Sequence, residues 1–367
     1  MSMDSTYQGK KLSLMIYGQS HSETIGVYIK GLPEGVKPDE EFIKEFMARR
    51  APGKNAWSTP RKEADEVHFD SKEGMLHGFI YNTNTKPKDY ASIMNCPRPS
   101  HADYTAGILY GDEAASSGGG IFSGRMTAPL CIAGAICLTE LKKMGIEIHA
   151  HLKSVFDVDD DSYFDHAPRD SKFLADLAAC SKKDFPAISD EAAEKMKARI
   201  EEARMDCDSV GGVIECVISG LPAGIGGPIF DGIEGKISQI IFAIPAVKAI
   251  GFGAGYDSTV LKGSENNDAF VFDDEEKVRL KTNRCGGILG GICVGEAAPV
   301  VFDCALKPTP SISKTQDTVD LAAKKNTTIS IEGRHDPCVA PRAVPVVEAA
   351  SAIAIYDMIL SQHQTKI

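Results

Sequence analysis

The chain is 367 residues long and 43% apolar, enough for a substantial core whether it forms one large α/β unit or two smaller domains. Its 40 basic and 51 acidic residues leave a formal charge of −11, which argues against nucleic acid or an anionic membrane surface as the main partner, so any cationic pocket has to be local. The uncharged apolar run Met126 to Thr139 is shorter than the roughly 18 to 20 residues of a membrane span, and the ten cysteines contain no Cys-x-x-Cys pair; the expectation is a soluble, untargeted, cytoplasmic protein whose cysteines act as small buried hydrophobes.

Leu12 to Tyr17 reads as a strand running into Gly18-Gln19-Ser20-His21-Ser22, which places Ser20 and His21 on a loop at the mouth of a sheet. A histidine there suits proton donation near neutral pH, although a capping or core histidine explains the residue equally well. Ile25 to Val36 (IGVYIKGLPEGV) and Val213 to Ile225 (VIECVISGLPAGI) each carry an apolar strand into Gly-Leu-Pro-x-Gly. A helical pattern follows each, with Phe42, Ile43, Phe46 and Met47 on one face of the first and Ile233, Ile237, Ile240 and Ile241 on one face of the second. This pattern predicts a duplicated half.

Arg49, Arg50, Lys54 and Arg61 then form a basic loop suited to a phosphate or carboxylate, or simply to solvent. Gly74 to Ile80 is hairpin-like, and Arg98-Pro99-Ser100-His101-Ala102-Asp103 offers a second histidine beside Ser100 or Asp103 as a helix cap. Ser116 to Gly120 lead through Ser123-Gly124-Arg125 into a long helix at about 123–144, an anion-favouring start without the Gly-Lys-Ser/Thr of a Walker loop. The acidic stretch Asp157 to Asp165 and the charged helix Asp190 to Met205 read as a peripheral insertion at about 157–205. After the second repeat come a glycine hairpin (Cys285-Gly-Gly-Ile-Leu-Gly-Gly-Ile), a stiff loop Lys307-Pro308-Thr309-Pro310-Ser311, and a second long helix at about 342–361. Just before that helix, Arg334, His335, Asp336 and Arg342 are gathered among Pro337, Pro341 and Pro345, so cations and a carboxylate sit on stiff backbone.

The blocks GQSHS, RRAPG, TPRKEAD, RPSHADYT, SGRMTA, GGILGGI, KPTPSI and GRHDPC with PRAVPVVEA, in this order over nearly the whole chain, resemble chorismate synthase. The resemblance implies an α+β fold, a β-α-β sandwich with internal pseudo-duplication forming a single domain over 1–367, assembled as a homotetramer. It implies a trans-1,4 elimination of phosphate from 5-enolpyruvylshikimate 3-phosphate, a small-molecule substrate, with reduced FMN as cofactor and no net redox change. Without an added reductase domain, the reduced FMN would come from an external flavin reductase, and direct use of NADPH is not expected.

By motif, the resemblance assigns His21 as the acid that helps phosphate leave, His101 as a donor near the pyrimidine edge of the flavin, and Asp336 as the base. Ser20, Arg50, Ser123, Arg125, Arg334 and Arg342 would grip the anionic groups, and Ser123, Ala246, Gly290, Lys307, Pro308, Thr309, Pro310, Ser311 and Arg334 match cofactor-binding positions. Departures include Gln19 and Ser22 where the family usually has Gly-Glu-Ser-His-Gly, Ala51 in place of a third arginine, Ile121-Phe122-Ser123 in place of Arg-Ser-Ser, and Pro245 in place of asparagine. Those at Ile121, Phe122 and Pro245 bear on flavin affinity. Two other readings accompany the enzyme: a non-catalytic paralogue that binds flavin or an anion, and a flavin-dependent lyase on a related phosphorylated substrate.

Overall fold

A computed structural model describes residues 5–51, 65–82, 95–111, 119–331 and 336–363. The first sheet contains β1 (Ser5–Gln8), β2 (Ser13–Tyr17), β3 (Thr24–Lys30), β4 (Val67–Lys72) and β5 (Met75–Tyr81) in the order β1-β2-β3-β5-β4, with antiparallel neighbours throughout. The helix α1 (Glu40–Arg50) lies between β3 and β4; Asp39 caps it by accepting from Phe42 N (3.1 Å), and Ile43, Phe46 and Met47 are buried as their spacing predicts. Glu73 and Gly74 both take positive φ (53° and 75°), which suits the tight β4–β5 hairpin. After β5 come α2 (Asp103–Tyr110) and α3 (Thr127–Lys143).

The second sheet repeats this plan. It contains β6 (Glu147–Val155), β7 (Val158–Asp159), β8 (Gly212–Ser219), β9 (Val247–Phe252) and a strand at Val300–Leu306, which pairs with both β8 and β9. Helix α4 (Ser171–Cys180) and α5 (Asp190–Met205) lie between β7 and β8, and α6 (Ile233–Ile241) between β8 and β9. Short hairpins β10–β11 (Phe270–Phe272, Val278–Leu280) and β12–β13 (Ile288–Leu289, Ile292–Cys293) precede the Val300–Leu306 strand, β14; β15 (Gln316–Asp320) and β16 (Lys325–Ile329) follow it, and α7 (Ala340–His363) closes the described chain. Each half therefore runs strand, strand, helix, strand, strand, long helix, and β2-β3-β5-β4 matches β6-β8-β14-β9 in sheet order.

The repeated glycine has one physical reason in both halves. A Cβ on Gly31 (φ 91°) would stand 1.9 Å from the Lys11 carbonyl oxygen, and one on Gly220 (φ 74°) would stand 2.0 Å from the Gly145 carbonyl oxygen. Each chain leaves its strand across the start of the neighbouring strand, and only glycine permits that passage.

Helices α3 and α7 pack on each other and lie between the sheets, α3 against β3 and β5 and α7 against β6 and β8. A Cβ on Gly134 would fall 2.3 Å from Ala349 Cβ, so the small-residue stripes read from the sequence mark the place where the two backbones meet. The second helix begins at Ala340 rather than about 342: Pro341 sits in the first turn, where its missing N–H costs nothing, and Pro345 lies inside the helix. Helix α7 is long and apolar enough to cross a membrane, yet 94% of its apolar window is buried in the fold, so it is a core helix. Its two acids are consumed internally. Glu348 forms a two-pronged pair with Arg49 (2.6 and 3.0 Å) and accepts from Ala150 N (3.1 Å); Asp357 accepts from the backbone of Lys10, Lys11 and Leu12 (2.9, 2.7 and 2.7 Å).

The segment between β6 and β8, read as a peripheral insertion, covers the outer face of the second sheet. Tyr163, Phe173 and Leu177 bury against Val217 and Val301 there. Beneath them His151 Nε2 donates to Glu215 (3.1 Å), which also accepts from Ser162 Oγ (2.8 Å) and Tyr163 N (2.7 Å), and Lys153 donates to Asp303 (2.6 Å). Burial alone would disfavour charged His151, but the adjacent carboxylates of Asp160 (3.4 Å from Nδ1) and Glu215 overcome it and push the imidazole up to about 9.

Candidate active site

One end of the sandwich opens into a cleft of about 650 Å³, bounded by the starts of α3 and α7 and by the chain leaving α1 and α6. Both long helices thus turn their N-terminal ends toward one cavity, an arrangement that favours anions. The cleft is lined by Arg50, Arg98, Arg125, Arg342, Lys248 and Lys307, a local concentration of cations within an acidic chain. Apolar side chains, among them Ile121, Phe122, Phe242, Ile244, Pro245 and Val339, line the rest of the cleft.

The β2–β3 loop carries Ser20 and His21 to the edge of the cleft. Gly18 (φ 92°) turns the chain, and Ser22 Oγ accepts from Gln19 N (2.9 Å) and donates to the Thr24 carbonyl (2.6 Å), so Ser22 braces the loop internally. Ser20 N donates to the Gly120 carbonyl (3.2 Å), and Asn82 Nδ2 donates to the Ser22 carbonyl (2.7 Å) while Asn82 Oδ1 accepts from Arg125 Nε and Nη2 (3.1 and 3.0 Å). One amide therefore links the histidine loop to a cleft arginine.

Asp65 is the hub of the cationic floor. Its buried carboxylate pairs with Arg50 on one oxygen and Arg125 on the other; burial would raise its pKa, but the two guanidinium groups outweigh that and hold it below the usual carboxylate range. Arg50 also reaches Thr127 Oγ1 (3.5 Å), and Arg342 donates through Nε to the Arg50 carbonyl (3.1 Å) and through Nη1 to Asp336 (2.6 Å). The arginines are thereby fixed before any ligand arrives.

On the opposite side, the turn Arg98–Asp103 packs under the 307–311 loop. Arg98 donates to both Asp103 oxygens (Nε to Oδ2 and Nη2 to Oδ1, each 2.7 Å) and to Ser311 Oγ (3.2 Å), and His101 Nδ1 lies 2.6 Å from Asp103 Oδ1. Burial opposes the Asp103 charge, but the hydrogen bonds from Arg98 and His101 prevail and hold this carboxyl well below its ordinary range. Lys307 donates to the Ser100 carbonyl, and burial followed by the neighbouring Lys248 cation lowers its pKa.

Of the residues expected from the sequence, Ser20, His21, Arg50, His101, Ser123, Arg125, Ala246, Lys307, Thr309, Pro310, Ser311, Asp336 and Arg342 line this one cleft. Two are placed elsewhere. Gly290 sits at the exposed tip of the β12–β13 hairpin, where positive φ at Gly290 and Gly291 (60° and 81°) closes the turn, and Pro308 is outside the lining, on the side of Gly211. Arg334, His335, Lys54, Arg61 and Ser116 to Gly118 lie outside the described residues. Neither Ser100 nor Asp103 caps α2: Ala102 holds that position without a side-chain bond, because Asp103 is engaged by Arg98 and His101. Ser123 caps a short 3-10 turn at Gly124–Met126, accepting from Arg125 N (3.2 Å), and α3 itself starts at Thr127.

Sequence reasoning assigned no role to Asp65, Asn82, Arg98 or Lys248. Arg98 and Asp103 bracket His101 within six residues, a local charge pattern that could have been read as a clamp; the Asp65 and Asn82 contacts depend on folding and had no such signal.

A family model described as chorismate synthase matches residues 12–360. The chain is 42% identical to chorismate synthase of Lancefieldella parvula, covering 98% of this chain and 97% of that protein, and 38% identical to chorismate synthase of Methanocaldococcus jannaschii, covering 96% and 95%. A solved structure titled as the crystal structure of chorismate synthase superposes with a TM-score of 0.73 at 23% identity, over 97% of this chain and 93% of that one, and shares the fold.

Proposed function

The chain belongs to the chorismate synthase family, lyases of aromatic amino acid biosynthesis, and we propose that it converts 5-enolpyruvylshikimate 3-phosphate to chorismate and phosphate by trans-1,4 elimination with reduced FMN. The observation that carries this reading is the convergence of His21, His101 and Asp336 with four arginines on one cleft of about 650 Å³, a volume within the usual range for ligand sites. The donor set suits both ligands. Lys307, Thr309, Ser311 and Ala246, with the apolar side chains of Ile121, Phe122, Phe242 and Pro245, would hold a flat ring and its anionic tail, while Arg50, Arg125 and Arg342 would hold the substrate phosphate and carboxylates.

When bound, reduced flavin supplies a transferable electron that weakens the carbon–oxygen bond and is regained by the end of the reaction. The side chains supply electrostatics and protons. His21, beside Ser20, gives a proton to the departing phosphate; Asp336, oriented by Arg342 (2.6 Å), would serve as the base at the flavin's reactive nitrogen; His101 presents a nitrogen to the cleft from its anchored turn. Arginines already locked by Asp65 and Asn82 need little reorganisation as charge moves onto phosphate.

We place the protein in the cytoplasm, fed with reduced flavin by an external reductase and assembled as a homotetramer. The exposed apolar side chains of Ile229, Phe230, Tyr256, Val260, Phe270 and Phe272 support self-association. The test is anaerobic incubation with photoreduced FMN and the enolpyruvyl substrate, following chorismate absorbance and phosphate together. Equal yields of both are expected; phosphate without chorismate would identify a different lyase, and tight ligand binding without turnover a non-catalytic paralogue.

A further inference from the structure

Among the described residues, His101 is held from one side only. Its Nδ1 is turned into a cluster made by its own turn, 2.6 Å from Asp103 Oδ1 and 3.0 Å from Arg98 Nη2, while the ring lines the cleft. Asp103 is anchored independently of the histidine: Oδ2 accepts from Arg98 Nε (2.7 Å) and Arg98 N (3.0 Å), and Oδ1 accepts from Arg98 Nη2 (2.7 Å). Arg98 is itself 4% exposed and is tied to the facing loop through Ser311 Oγ (3.2 Å). Among the described residues, Lys307 also lies on this side, its ammonium reaching the Ser100 carbonyl one residue away, with the Lys248 cation as its neighbour.

A neutral imidazole can place its proton on either nitrogen. A bare Nδ1 would set its lone pair against a carboxylate oxygen at 2.6 Å, a repulsive contact, whereas an Nδ1–H donates to that oxygen. The lone pair then resides on Nε2, on the far side of the ring from the cluster. We propose that Asp103, clamped by buried Arg98, is a positioning residue that fixes the tautomer of His101 so that Nε2 is the nitrogen that gains and loses a proton at the cleft.

Asp103→Asn reverses the arrangement at the cost of one contact, the bond from Arg98 Nη2 to the Oδ1 position. Two Arg98 donors meet at the Oδ2 position, so the amide oxygen settles there and the amide nitrogen replaces Oδ1. Amide and guanidinium hydrogens then both face Nδ1, which becomes an acceptor, and the ring proton moves to Nε2. An aspartate-to-asparagine change that leaves geometry intact but selects the wrong histidine tautomer is severely damaging where the histidine must accept a proton.

The catalytic consequence rests on the proposed elimination, but the tautomer does not, and the test separates them. Wild type, Asp103→Asn and Asp103→Glu are treated with diethyl pyrocarbonate at a pH where imidazole is neutral, and carbethoxylation is read residue by residue by peptide mass spectrometry, with His149 on β6 as reference. The reagent acylates an unprotonated nitrogen, so His101 in Asp103→Asn should react about fivefold or more slowly than in wild type, with His149 unchanged and Asp103→Glu restored. Turnover should fall about tenfold or more in Asp103→Asn, with KM for the enolpyruvyl substrate within about threefold. Equal or faster modification of His101 in Asp103→Asn overturns the proposal. Failure of wild type to form chorismate would instead sink the functional reading and leave the modification result standing.

Discussion

Replacing His151 by glutamine probes the charge network under the second sheet. The imidazole rises from 6.5 to about 9 on folding, because burial, which opposes its charge, is outweighed by the paired carboxylates of Asp160 and Glu215. A folded pKa above the unfolded one means that the protonated ring stabilises the native state. The contribution is complete below about pH 6.5 and is lost as pH rises through about 9. At about 1.36 kcal/mol per unit, a rise of 9 − 6.5 = 2.5 units corresponds to about 3 kcal/mol. Urea unfolding of wild type and His151→Gln at a fixed protein concentration, from about pH 6 to about pH 10, should therefore show a stability gap that narrows by about 3 kcal/mol across the series. Comparing the gap removes titrations common to both proteins. A gap that stays constant across this range would show that His151 is not charged in the fold and would refute the reasoning.

Asp65→Asn should cost about 3–5 kcal/mol in urea unfolding, because two buried guanidinium groups lose their shared carboxylate, and should raise the substrate KM by loosening Arg50 and Arg125; unchanged stability would count against the hub. Gly134→Ala places a methyl 2.3 Å from Ala349 Cβ and should destabilise by about 3 kcal/mol or more, read as a lowered urea midpoint. His21→Ala and Asp336→Ala should each slow chorismate formation by about tenfold or more while far-UV circular dichroism stays as in wild type; wild-type rates would remove the residue from the chemistry.

What the sequence disclosed was local. Gly31 and Gly220 announce their turns because a carbonyl oxygen blocks any side chain there, and the continuous apolar runs of α3 and α7 follow from helices covered on both sides by sheets. Hairpins with glycine at positive φ were legible for the same reason. The floor of the cleft was not, since Arg50 and Arg125 meet at Asp65 across 15 and 60 residues, and no periodicity reports such a partnership. Helix starts also slipped: Asp103 looked like a cap until its carboxylate was claimed by Arg98 and His101, and α7 begins at Ala340, ahead of the expected start at about 342. At Asp103 a side-chain ion pair outweighed the capping preference.

The short β2–β3 connection that carries Ser20 and His21 has its counterpart in the long β6–β8 connection, which instead folds over the back of the second sheet. Had the two loops stayed alike, a ligand entering between the paired helix ends would have met the same groups after half a rotation and could have bound either way round. Because, of these two connections, only β2–β3 brings a histidine to the opening, a ligand has a single productive heading, and the frame's near-symmetry is hidden from it.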